Sequence, residues 1–112
     1  MHKIFLKDFL PDFVHELKYL LLRESMPDLA CQIVYMQVDV DRCISSDDYF
    51  IMLCTGLQPL LGWGTGQTTI VLTPKKGNIL LNVIGNDIIA IEVFFRNDIQ
   101  EKFQQLQYAV TA

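Results

Sequence analysis

Three stretches of the chain carry residue types that could do chemistry. In Gly62-Trp63-Gly64-Thr65-Gly66 the glycines would let a backbone approach phosphate closely. A dinucleotide fingerprint needs a strand before the glycines and a helix after them, and a P-loop ends in Lys-Ser or Lys-Thr. Here Gln67-Thr68 leads instead into an apolar run of strand character, so the segment reads as a structural turn or a partner loop. Asp39, Asp41, Asp47 and Asp48 fall in one ten-residue window and invite a calcium or magnesium reading. A calcium loop requires Gly at its sixth position and Glu at its twelfth. Counted from Asp39 these are Ile44 and Phe50, and from Asp41 the twelfth is Met52. No metal is expected; a solvated acidic loop, or one that meets a basic partner, fits better.

Nucleophilic chemistry has little to work with. His2 and His15 are the only histidines, and Ser45 and Ser46 adjoin aspartates rather than a base. His15 reads as a helix-surface residue. Cys31, Cys43 and Cys54 have neither CxxC nor Cys/His spacing, which predicts reduced, mostly buried thiols and no zinc site. No catalytic group, cofactor or enzyme activity is expected. Trp63 has no helical or strand face to bury it automatically; tryptophan is both a strong core filler and the residue type most enriched where partners grip, so it reads either as folded back onto the core or as a partner contact.

The elements that must position these residues centre on Thr68 to Phe95. There TTIVLT, ILLNVI and IIAIEVFF are separated by PKKGN and GND, the pattern of an antiparallel meander. Before it, Phe13, Leu17, Leu20 and Leu21 share one face of a helix from about Asp8 to Glu24, with Asp8 as its cap and Pro11 in its first turn. His2 to Leu6 is a short strand or a leader. The alternation of Val34, Met36, Val38 and Val40 predicts a strand over Cys31 to Val40, paired in a hairpin with Tyr49 to Cys54. Thr55 to Gln67, with Pro59 and four of the six glycines, reads as an irregular loop. Asp98 and Glu101 resemble a capping box, opening a helix that runs to about Ala109. The expected fold is α+β, a mainly antiparallel five-stranded sheet with an N-terminal and a C-terminal helix in the order α-β-β-β-β-β-α.

All 112 residues fit one domain, and at 51% hydrophobic the chain is far from the disordered regime. A net charge of -4 argues against direct nucleic-acid binding, which needs a lysine and arginine excess; it favours fast association with a basic protein and equally serves solubility alone. MHKIFLKDFLPDF lacks the features of a signal peptide, and no run is long enough to span a membrane, so a cytoplasmic protein is expected.

From FLPDFVHELKYLLL through GNILLNVIGNDIIAIEVFF to DIQEKFQQLQ, the layout resembles the small acidic immunity proteins that bacteria pair with contact-dependent or related secreted toxins. The resemblance implies tight one-to-one binding to a toxin domain, often a basic nuclease, by covering its active site or another essential surface. It transfers no binding residue. On the residues themselves, Asp39, Asp41, Asp47 and Asp48 are the candidate steering charges, and Tyr35, Tyr49 and Trp63 the candidate anchors. Two alternatives stand beside this reading: an acidic secretion-type chaperone acting as a homodimer, and a small enzyme or small-molecule-binding protein.

Overall fold

Pro11 and Pro27 set where the two long N-terminal helices begin. Each occupies the opening turn, where a missing N–H leaves no helical bond unmade. In the computed structural model of the chain, which describes residues 3–46, 49–56 and 67–111, strand β1 (Lys3–Phe5) and a single turn α1 (Leu6–Phe9) lead into α2 (Pro11–Arg23), and α3 (Pro27–Tyr35) follows. The expected apolar stripe of α2 is buried. Asp8 does not cap it: the helix opens on Leu10, which offers no side-chain oxygen. Its end is a Schellman closure. Met26 N–H donates to the Leu21 carbonyl at 2.9 Å and Ser25 N–H to that of Leu22 at 3.0 Å, with Ser25 in the left-handed region at φ 59°.

The strand expected over Cys31 to Val40 is corrected by the structure. Residues up to Tyr35 are helical, because Ala30 and Ile33, three apart, both bury on one helical face and Pro27 with Asp28 makes a good helix start. Only β2 (Gln37–Asp39) is extended, and it pairs antiparallel with β1, not with the later sheet. A 3-10 turn at Val40–Arg42 then leads to β3 (Ile44–Ser46), which takes the place in the hairpin that was expected of the earlier run.

The main sheet has five antiparallel strands in the order β3, β4 (Phe50–Cys54), β7 (Asp87–Phe94), β6 (Asn78–Ile84), β5 (Gln67–Leu72). The meander is therefore as expected, with the early hairpin added on the β7 side. Period-two alternation gives the sheet two distinct faces. Ile51, Val93, Ile79 and Leu72 form one cross-strand row and Leu53, Ile91, Leu81 and Ile70 the next. Both rows join a core with Leu6, Leu10, Phe13, Leu17, Leu21, Ile33 and, from α4 (Asn97–Thr111), Ile99 and Phe103. Thus the helices cover this inner face. Gln32 fastens α3 to the β6–β7 turn by donating to the Asn86 carbonyl and accepting from Ile88 N–H at 3.1 Å. Gln100 of α4 donates to the Phe50 carbonyl at 3.0 Å.

Arg96, between β7 and α4, joins the layers. Its guanidinium, 9% exposed, makes a two-pronged ion pair with Glu16 of α2, both contacts at 2.8 Å, and bonds Asp98 at 3.0 and 3.1 Å. It also reaches the Lys76 carbonyl at 3.4 Å. The Glu16 hydrogen bonds stabilise the charged form of Arg96, and the Arg96 hydrogen bond holds Asp98 below the usual carboxylate range. Asp98 therefore serves Arg96 inside the first turn of α4 rather than acting as its capping residue.

Two outcomes test this joint. Because the folded-state pKa of Asp98 is depressed, its contribution to stability is present above the unfolded value of about 3.9 and lost as pH falls through the folded one. Asp98→Asn should then flatten the acid limb of stability below about pH 5, as followed by urea denaturation at stepped pH. In the β5–β6 connection, Gly77 has φ +70°, and an added Cβ would collide with the Phe94 carbonyl and lie 2.9 Å from Arg96 Cγ. Gly77→Ala should lower unfolding free energy by about 2 kcal/mol or more, by strain and by displacing Arg96.

Candidate partner-binding surface

On the sheet face away from the helices the same alternation places a second set of apolar residues. Ile44, Met52, Leu80 and Val71 form a cross-strand row with Glu92 at its centre, and Phe50 pairs with Phe94 in the row beside it. None of these six apolar residues belongs to the core cluster. Ile44 is 52% exposed and Val71 64%. A polar network runs through this apolar surface. Asn82 accepts from Gln67 at 3.3 Å and Thr69 at 3.2 Å, and donates to Glu92 at 3.1 Å. Asn82 is nearly inaccessible, so these bonds satisfy a polar group that would otherwise be costly to bury.

At one end of this face stand four aromatic rings. Phe50 and Phe94 pack tilted at a centroid distance of 4.9 Å; Tyr49 and Phe95 stack at 5.8 Å, and Phe95 lies 6.5 Å from Phe94. The β4–β7 pairing extends beyond its last rung through Phe95 N–H, which donates to the Tyr49 carbonyl at 2.7 Å. Phe95 has φ 60°, in the left-handed region. That turn swings the chain from β7 so that Arg96 points inward to Glu16 while the Phe95 ring stays 64% exposed. For a bulky side chain this conformation costs about 1–2 kcal/mol, whereas Gly or Asn adopts it readily. The ring packs on Tyr49 and near Phe94, and most of it remains exposed.

The predicted site residues fare unequally. Tyr49, 44% exposed, is in the aromatic cluster. Tyr35, 67% exposed, ends α3 with Lys7 5.6 Å from its ring, and lies beside a hollow lined by Thr55 and Asp87. Since Thr55 follows β4 whereas Tyr49 precedes it, the two tyrosines sit at opposite ends of the sheet and form no common site. Asp39 is corrected from a steering charge to a structural one. It is 2% exposed, accepts from Asp41 N–H at 3.2 Å to cap the 3-10 turn, and pairs with Arg42 at 3.7 Å. Asp41 is exposed. Asp47, Asp48, Trp63 and the Gly62–Gly66 run lie outside the described residues. Phe50, Phe94 and Phe95 were not singled out from sequence; the available signal was the second Phe of Val93-Phe94-Phe95, which breaks the strand alternation just before a helix start.

Among the described residues no group of three or more His, Cys, Asp or Glu could hold a metal ion. Cys31 is exposed, contrary to the expectation of mostly buried thiols, while Cys43 and Cys54 are half-buried and linked by a Cys54 N–H to Cys43 Sγ contact of 3.4 Å. Burial pushes the Cys43 thiol up to about 12 and raises Cys54 as well, which disfavours the reactive thiolate. Among the described residues no helix is long and apolar enough to cross a membrane. The chain matches no family model, and no curated protein or solved structure shows significant similarity to it.

If the Phe95 ring is there for a partner, exchanging it should leave the fold intact. Phe95→Asn relieves the left-handed strain but loses the Tyr49 stack, so unfolding free energy should change by less than about 1 kcal/mol in chemical denaturation. A loss of several kcal/mol would instead make the ring a structural element.

Proposed function

We propose that the chain is a non-catalytic protein-binding domain that holds and neutralises a basic toxin domain, as an immunity protein does. The observation that carries this reading is the Tyr49–Phe95 stack, exposed on a left-handed backbone at the end of a largely apolar sheet face that no described helix covers. Aromatic anchors of this kind supply slow dissociation, because their burial removes a large rigid surface from water at little entropic cost. Glu92, in the middle of the apolar row, offers a basic side chain of the partner its counter-charge. The net charge of -4, with exposed Asp41 and the neighbouring Asp47 and Asp48 in sequence, supports electrostatic steering of a basic domain toward the chain. A largely apolar face that no described helix covers also favours the homodimeric chaperone reading, in which a second copy would cover it.

Affinity capture of the tagged protein from its native cells, at low and high salt, separates these readings. The immunity reading expects one stoichiometric basic domain, retained at high salt, whose activity the protein inhibits, and a monomeric free state in sedimentation. With that domain in hand, Tyr49→Ala with Phe95→Asn should raise Kd by about 100-fold or more, mainly through dissociation. Replacing Asp41, Asp47 and Asp48 by Asn should instead slow association and flatten its salt dependence. A homodimer that captures several secreted proteins would overturn the immunity reading in favour of the chaperone.

A further inference from the structure

Away from the sheet's outer face, a cavity of about 580 Å³ lies between α2 and the connection from β5 to β6. Its charge is opposite to that of the chain. Arg23, Lys75, Lys76 and Arg96 line it against Asp12 and Glu16, with His15 and Tyr19 on the helix side. Arg96 and Glu16 neutralise one another. No carboxylate among the described residues pairs with Arg23, Lys75 or Lys76, so three cations face one hollow with only Asp12 against them.

The hollow is also a held shape. Arg23 donates to the Thr73 carbonyl at 3.1 Å and its hydroxyl at 3.0 Å, and its guanidinium lies over the Tyr19 ring at 5.8 Å. At the other end of the connection Arg96 bonds the Lys76 carbonyl, and Gly77 admits no side chain against Phe94. Both ends of the segment carrying Lys75 and Lys76 are therefore fixed to the body of the fold. The two lysines are presented from a pinned turn rather than from a loose loop.

We propose that this cavity binds a small phosphorylated anion, one carrying two or more linked phosphoryl groups. Lysine ammonium groups act as point charges that suit phosphoryl oxygens, and Arg23 is already oriented by its bonds to Thr73. The volume falls in the range of small-molecule sites. Size is limited by the rest of the surface: a chain of net charge -4 repels an extended polyanion beyond the hollow, which favours a compact ligand over a nucleic-acid strand. This site is separate from the aromatic surface and does not depend on the function proposed for it.

The test is a two-dimensional amide NMR titration of the full chain with inorganic pyrophosphate, with citrate and a short single-stranded RNA as parallel arms. Saturable shifts should be confined to α2 around His15 to Arg23 and to residues 73–77. Lys75→Gln with Lys76→Gln, both at exposed positions and so compatible with an unchanged fold, should weaken pyrophosphate binding by about tenfold or more. Affinity should fall as salt is raised. Shifts that do not saturate, that map elsewhere, or that persist at equal affinity in the double variant would overturn the site. Citrate binding as tightly as pyrophosphate would overturn the phosphoryl preference, and RNA displacing pyrophosphate at lower concentration would overturn the assignment to a small molecule.

Discussion

A single guanidinium holds the two ends of this chain to its middle. Arg96 reaches Glu16 of α2, Asp98 of α4 and the carbonyl of Lys76, so the N-terminal helix, the C-terminal helix and the meander meet at one nearly buried cation. Taking such a group out of water is expensive unless its hydrogen bonds are met, and here all three nitrogens find acceptors. Its position depends on Phe95. Only with that residue in the left-handed region does the chain leave β7 so that Arg96 turns inward, and the same turn leaves the phenylalanine ring outside. The internal joint and the candidate anchor are two sides of one backbone conformation.

Much of the architecture was legible in the sequence because it rests on local signals. The meander followed from Ile- and Val-rich runs punctuated by Gly77 and by Gly85-Asn86-Asp87, and α2 and α4 from apolar residues at helical spacing. The clear miss was α3. Its residues Ile33 and Val34 are β-branched and precede genuine alternation, so the strand signal of Met36 to Val40 was extended backward over a helix that Pro27 and Asp28 had already marked. Short β2, β3 and the pairing of β1 with β2 depend on contacts between distant segments, which no local window records.

The site was less legible, for a related reason. The sequence offers charged clusters and a tryptophan in a loop, yet an acidic residue in a cluster can serve the backbone instead, as Asp39 serves its 3-10 turn. Nothing in the order of residues says that Tyr35, at the end of α3, and Tyr49, before β4, end up at opposite ends of the sheet, or that Tyr49 meets Phe95. The cationic hollow is likewise assembled from α2 and the β5–β6 connection, fifty residues apart at the Arg23–Thr73 contact. An overall net charge conceals a local surplus of the opposite sign.

The polar network on the outer sheet face has a consequence for how the strands find their partners. Gln67 and Thr69 of β5, Asn82 of β6 and Glu92 of β7 bond in sequence across three strands. A slip of one residue between any two of them would exchange the faces, carrying Asn82 or Glu92 into the helix-covered core and Ile or Leu side chains into water. An unpaired amide or carboxylate there costs several kcal/mol, more than the roughly 0.2–1 kcal/mol that a single cross-strand pair contributes. The network thus acts as a proofreading device: the meander is tied to one alignment from the side that faces away from the core.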